Sequence, residues 1–296
     1  MLQFRLIIKD HYGRLGNRLW QFSYLIAFGY ENNIIVSYPG FKEYAHYFEG
    51  TKNNYFCSFP ALNLPFTPPA FWRELVFKSV PLAKRIFTRL KVNKNVYQHK
   101  SFKNREYFDM DDNLNKNLIL STKFFTVEGW LTRCNKSLTK HRKEIKKIFT
   151  PSHQYFKKNL IPKDESKLIG IHIRQKDKND YPSPGYLYLN KSGGFPTYKD
   201  YVNMMNSCLK LFGECTFVIV SNLPIEKRFF RKYKVFYTNS HLVQDLYTLS
   251  SCDYIIGTSS TFTLWASFFG DVPYFMIEEK KKDINIESFN IYKNLA

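Results

Sequence analysis

Apolar positions in the second half of the chain recur with two alternating periods. Short β-type runs fall at 168–173, Thr216–Val220, Lys234–Tyr237, Tyr254–Ile256 and Pro273–Ile277. Helical patterns separate them at about 197–212, 224–231, 242–252 and 260–269, the third holding Asp245, Leu246, Leu249 and Ser250. Strand and helix in strict alternation predict an α/β fold with a doubly wound parallel sheet. Leu168, Ile169, Ile171 and Ile173 form its most apolar strand, of the kind covered on both faces.

The first half opens alike. Strand Phe4–Ile8 leads into a loop with Gly13 and Gly16, a helix to about Tyr30 and strand Ile34–Val36. The pattern then fades over 39–72, where Pro60, Pro65, Pro68 and Pro69 predict long loops or an acceptor-side insertion. Strands are expected again at Leu118–Leu120 and Phe124–Val127, and a basic helix near Lys136–Phe149. In Arg73–Lys91, the residues Val76, Val80, Ala83, Phe87 and Leu90 make a helical stripe interrupted by Pro81, among Lys78, Lys84, Arg85, Arg89 and Lys91. Such a helix either packs on its own domain or lies on an acidic membrane surface. The stretch 161–166 reads as a linker, which puts an N-terminal domain at 1–160 and a C-terminal one at 161–296.

Composition narrows the partners. The net charge is +19, and residues 51–150 carry 20 Lys plus Arg against 7 Asp plus Glu. That excess implies a polyanionic neighbour: nucleic acid, anionic lipid or a phosphorylated substrate. The basic residues do not track a nucleic-acid-binding module, which disfavours the first. No stretch reaches 18 uncharged apolar residues and no secretory signal opens the chain, so the expected location is the cytosol, or the cytosolic face of a membrane held peripherally. Cys57, Cys134, Cys208, Cys215 and Cys252 form no C-x-x-C pair and no zinc-like cluster with histidine, so free thiols and no metal site are expected.

Three motifs sit where strands meet loops or helices. Gly13-Arg14-Leu15-Gly16-Asn17 follows a strand and opens a helix, a place for a tight turn, for close backbone approach to a ligand and for negative charge. It is neither a dinucleotide fingerprint nor a P-loop. His172 and Arg174 share one face at the end of strand 168–173, with Asp177 in the loop beyond and Asp180 nearby. Arg174 either meets a phosphorylated ligand or pairs with Asp177 to stabilise the strand end. In Gly257-Thr258-Ser259-Ser260-Thr261-Phe262, N-capping accounts for one hydroxyl among Ser259, Ser260 and Thr261 but not for all three. Two of these motifs end strands of one predicted sheet, which favours a phosphate-binding crevice over separate structural roles.

G-R-L-G-N-R-L-W-Q-F near the start, H-I-R-Q-K-D in the middle and D-L-Y-T-L-S-S-C-D-Y-I-I-G-T-S-S-T-F-T-L-W-A-S-F-F-G late resemble, in order and spacing, the α-1,2-fucosyltransferase family. The middle motif departs from it: Gln175 stands where the family has a second arginine, and Lys178 where it commonly has an aromatic residue. Arg18 stands where many members carry Gln.

The resemblance implies a GT-B-like architecture, two Rossmann-type domains facing a cleft, and transfer of L-fucose from GDP-fucose to a sugar hydroxyl with inversion. It implies no metal and no cofactor beyond that co-substrate. Arg174 would hold the departing diphosphate and His172 the nucleotide, with Ser259, Ser260 and Thr261 on phosphate. Asp245 would recognise guanine or else serve as a helix-dipole partner. Gly13, Arg14, Gly16 and Asn17 would line the opposite wall, and Asp177, ahead of Asp180, would take the acceptor proton. Loss of the second arginine leaves Lys176 or Arg18 to supply charge, or a different donor. The expected partners are a nucleotide sugar, a glycan or glycolipid acceptor and an anionic membrane surface, and not nucleic acid. The rival readings are a GT-B transferase using another nucleotide sugar, and a basic nucleic-acid-binding protein.

Overall fold

Two five-stranded sheets organise the chain, one in each of two compact units, Met1–Ser152 with Asn294–Ala296, and His153–Lys293. The structure is a computed structural model that describes residues 3–9, 13–89, 96–100, 107–122, 124–129, 131–158, 165–176, 195–238, 241–277 and 284–293. The division after Ser152 precedes the linker expected at 161–166, of which 161–164 lie outside the described residues.

In the second unit the elements run β8 (Lys167–Ile173), α6 (Tyr198–Phe212), β9 (Cys215–Ser221), β10 (Val235–Tyr237), α7 (Leu242–Leu249), β11 (Tyr254–Gly257), α8 (Thr261–Gly270) and β12 (Tyr274–Met276). The sheet order is β10-β9-β8-β11-β12, and every pairing is parallel. That is the doubly wound order, in which the chain leaves the first strand toward one edge and later returns to build the other. Ile169, Ile171 and Ile173 are buried with Phe217, Ile219 and Ile256 under Tyr201, Met205 and Cys208 of α6. Thr197 starts α6 through a reciprocal capping box with Asp200. The helix expected at 224–231 is only a 3-10 turn, Lys227–Phe230.

The first unit holds β1 (Gln3–Lys9), α1 (Leu15–Asn32), β2 (Ile34–Ser37), β3 (Ser58–Phe59), α2 (Ala70–Arg89), β4 (Val96–Lys100), β5 (Phe108–Asp109), α3 (Asn113–Ser121), β6 (Phe124–Glu128), β7 (Thr132–Arg133), α4 (Asn135–Lys140) and α5 (Arg142–Ile148). Its main sheet is β3-β2-β1-β6-β4, parallel except for the β3 edge. Every residue of α1 from Leu15 to Gly29 except Asn17 is buried. Phe22, Tyr38, Phe41, Phe48 and Phe149 form one aromatic cluster with ring centroids 5.2–6.2 Å apart.

Two expectations fail here, for different reasons. Leu118–Leu120 lies in α3 and is not a strand, because the Asp112 carboxylate accepts from the N–H groups of Leu114 and Asn115 and starts a helix there. A three-residue apolar run carries no period of its own, so the cap decides. The basic helix at 136–149 is broken at His141 into α4 and α5, where the His141 ring binds Glu31 of α1 at 2.8 Å. Tertiary contact overrode the local pattern in that case.

Candidate functional site

The second unit's sheet changes direction of growth between β8 and β11, the topological point at whose carboxyl ends open α/β sheets take ligands. His172 and Gly257 are register partners at that edge. A Cβ on Gly257 would lie 3.1 Å from Cβ of His172 and 3.2 Å from its carbonyl oxygen, so a larger residue there would press on the neighbouring strand. Three motifs read from the sequence are thereby resolved into two places. His172, Arg174 and the 257–261 loop meet at one strand pair, and the Gly13 loop belongs to the other unit.

His172 is 4% exposed. Its Nδ1 shares a 2.5 Å hydrogen bond with the Thr263 hydroxyl, and its ring lies 5.3 Å from that of Phe262. The Tyr201 hydroxyl donates to its carbonyl oxygen at 3.3 Å. Burial first, and then the neighbouring Arg174 charge, push its pKa down to about 3. At neutral pH the imidazole is therefore uncharged, a hydrogen-bonding ring and not a second cation. Arg174 follows directly on the last residue of β8 and is half-buried.

Gln175, at the position of the family's second arginine, is a fastener. Its N–H donates to Asn222 Oδ1 at 2.7 Å, and Asn222 Nδ2 returns a bond to its carbonyl at 3.0 Å. Its Nε2 reaches Ser221 Oγ at 3.1 Å and the carbonyls of Leu223 and Pro224 at 3.2 and 3.1 Å. The loop carrying Arg174 is thus tied to the loop leaving β9. Ser221, Leu223 and Pro224, with Ile225, Lys227 and Tyr237, wall a cavity of about 300 Å³ at the carboxyl edge. The volume is at the small end for a ligand site. Lys176 is exposed beside this fastener.

In the 257–261 loop, Ser260 caps α8 by accepting from the Phe262 N–H, Thr261 is the first helical residue and Ser259 is exposed. Thr258 is fully buried, and its Oγ1 has no hydrogen-bond partner among the described residues. Capping therefore uses one of these hydroxyls, and the helix start offers backbone N–H groups of positive potential beside the ends of β8 and β11. Asp245 is half-buried in the first turn of α7, where its N–H donates to the His241 carbonyl at 3.0 Å. His241 caps that helix through Nδ1, and burial lowers its pKa. Asp177 and Asp180 lie outside the described residues.

The glycine loop of the first unit follows β1, beside the point where that sheet too changes direction, between β1 and β6. Gly13 has φ +68°, and a Cβ there would fall 2.2 Å from Nδ2 of Asn17. Arg14 precedes α1 and is exposed, while Gly16 is buried in its first turn. Arg18 is 2% exposed, with Nε donating to the Gly13 carbonyl and Nη1 to the Gly40 carbonyl, both at 2.9 Å. It pairs with Glu43 at 2.8 Å and lies over the Tyr44 ring. Its charge braces the loop.

No family model and no curated protein matches the sequence. Solved structures do match the fold. A variant of Arabidopsis thaliana FUT1 in complex with GDP superposes at TM-score 0.54 with 10% identity, over 100% of this chain and 76% of that one. POFUT1 in complex with GDP matches at 0.51 with 11% identity, over 93% and 98%. POFUT1 in complex with GDP-fucose matches at 0.50 with 11% identity, over 94% and 99%. This chain shares the fold of those proteins. The α/β architecture expected from the alternating pattern is therefore observed, with a parallel doubly wound sheet. Sequence reading missed Thr263, Tyr201 and Asn222, which hold His172 and Gln175. Only a hydroxyl or amide adjoining a strand or helix end hinted at them.

Proposed function

We propose that the protein is a glycosyltransferase that moves L-fucose from GDP-fucose to a sugar hydroxyl of a glycan or lipid-linked oligosaccharide, with inversion and α-1,2 linkage. The observation that carries the reading is the charge pattern at the β8/β11 edge. There a half-buried arginine follows β8, and a buried neutral histidine near its end touches Phe262 and Thr263 in the first turn of α8. Together they favour a diphosphate, and the FUT1 and POFUT1 structures of the same fold bind GDP or GDP-fucose.

In this mechanism the bond between the anomeric carbon and the diphosphate oxygen breaks as an acceptor hydroxyl attacks from the opposite face. Arg174 takes up the charge that develops on the leaving group, where an electrostatic donor of this kind contributes about 2.7–4 kcal/mol. The acceptor proton passes to Asp177 or, failing that, Asp180. His172 and the hydroxyls of Ser259, Ser260 and Thr261 hold the nucleotide, and Asp245 recognises the base. Gly13, Arg14, Gly16 and Asn17 are assigned ligand contact on the geometry of their own loop.

A second reading, transfer from another nucleotide sugar, is favoured by one feature. Gln175 supplies no charge where the family has an arginine, and Arg18 spends its own on Glu43. A thermal-shift comparison of GDP, UDP, ADP and CMP separates the two, because a ligand at 100 times its Kd stabilises by about 2.7 kcal/mol. GDP is expected to raise the melting temperature most, and GDP-fucose alone to be hydrolysed slowly to GDP. A larger response to UDP, with no hydrolysis of GDP-fucose, replaces the donor. Salt-sensitive retention of RNA without any nucleotide response replaces the enzyme reading.

A further inference from the structure

We propose that the exposed face of α2 docks the protein onto an anionic lipid bilayer. Phe71, Leu75, Lys78 and Leu82 are spaced by four, three and four residues, which sets them on one side of the helix. Phe71, Leu75 and Leu82 are 61%, 60% and 59% exposed, and the Lys78 side chain is 70% exposed. This is a different face from the Val76 stripe that the sequence pattern singles out. The side toward the unit is held by Arg73, which is 3% exposed and donates to the carbonyls of Thr51, Lys52 and Asn54. The Lys42 ammonium over the Phe77 ring adds to that attachment.

Single exposed apolar residues are ordinary on a protein surface, so contiguity matters. The patch continues off the helix start through ring contacts. Phe71 meets Trp72 at 5.9 Å, Trp72 meets Phe66 and Tyr55 at 6.0 Å, and Tyr55 meets Phe56 at 4.8 Å. Phe66 and Phe56 are 47% and 39% exposed. Aromatic rings of this sort sit well at the headgroup level of a bilayer.

Charge selects the occupant. The helix carries Arg73, Lys78, Lys84, Arg85 and Arg89 against Glu74 alone, and Glu74 is already ion-paired with Lys42 and Lys78. In helical register Arg85 and Arg89 continue the line of Phe71, Leu75, Lys78 and Leu82. A second copy of the chain would bring the same positive face against itself, which is unfavourable. An anionic lipid surface offers negative charge and an apolar layer together, and an amphipathic basic helix lies in its plane. No described helix is long and apolar enough to cross a membrane, so the contact proposed is with one leaflet.

The test is co-sedimentation of the full chain with vesicles of phosphatidylcholine alone or mixed with phosphatidylglycerol. Binding is expected to the mixed vesicles only and to weaken with salt. The combined Phe71→Ser, Leu75→Ser and Leu82→Ser substitutions are expected to lower the partition at least tenfold at unchanged circular dichroism. Lys78→Ala, a milder change at an exposed position, is expected to lower it roughly fivefold. Unaltered partition of both variants overturns the proposal, as does equal binding of the parent to pure phosphatidylcholine or to neither vesicle. A dimer that the triple substitution dissolves, with no vesicle binding, also overturns it and assigns the face to a second copy.

Discussion

The two units place an arginine near the same topological point but in different surroundings. In the second unit Arg174 stands half-buried where β8 ends, beside a histidine kept neutral. In the first unit Arg18 lies buried in the opening turns of α1, bound to two carbonyls and to Glu43. Both strand ends lie where a sheet changes direction, so topology alone does not distinguish them. Arg18 is committed to its own loop by these bonds, and Arg174 stands at the strand end that is proposed to meet the ligand.

Exchanging the two side chains for neutral ones breaks the comparison most directly. Arg174→Ala is expected to reduce kcat for fucosyl transfer by about a hundredfold or more, with the melting temperature nearly unchanged, because the lost interaction matures only as the leaving group departs. Near-normal turnover, measured with purified donor and acceptor, removes Arg174 from the chemistry. Arg18→Met should do the reverse. It breaks the 2.8 Å pair with Glu43 and takes a donor from the Gly13 and Gly40 carbonyls, a loss of about 3 kcal/mol. Thermal denaturation followed by circular dichroism should fall by roughly 6–12 °C. Full stability with loss of nucleotide binding in that variant would invert the assignment of the two arginines.

The smallest effect concerns the neutral histidine. Its folded pKa lies below the unfolded value, so its contribution is complete above about pH 6.5 and is lost as pH falls toward about 3. At pH 5 the folded imidazole is still uncharged, and the unfolded state has gained about 2 kcal/mol from protonation. His172→Gln lacks that loss. The stability difference between parent and variant in urea titrations should therefore narrow by about 2 kcal/mol from pH 7.5 to pH 5. A constant difference means the ring is charged in the fold.

Legibility differed between the units for physical reasons. In the second, each strand is a continuous apolar run bounded by helix signals, so periodicity located β8, β9 and β11 within a residue or two. In the first, β5 and β7 are two residues each, and β3 pairs antiparallel at an edge, lengths at which no period exists. Among site residues, His172, Arg174 and the 257–261 loop were legible because they end strands. Thr263 and Tyr201 were not, since each reaches His172 across tens of residues of sequence.

Alternation of strand and helix, the strand-end motifs and the basic excess over 51–150 are properties of the chain itself. They determined an α/β protein and marked strand-end residues of a chemistry suited to anions. The tertiary structure decided that Arg18 braces its own loop, why Gln175 is a fastener and which face of α2 is exposed. Each of those outcomes depends on groups brought together from distant positions, and desolvation and pairing act on proximity in space, which period and spacing along a chain do not encode.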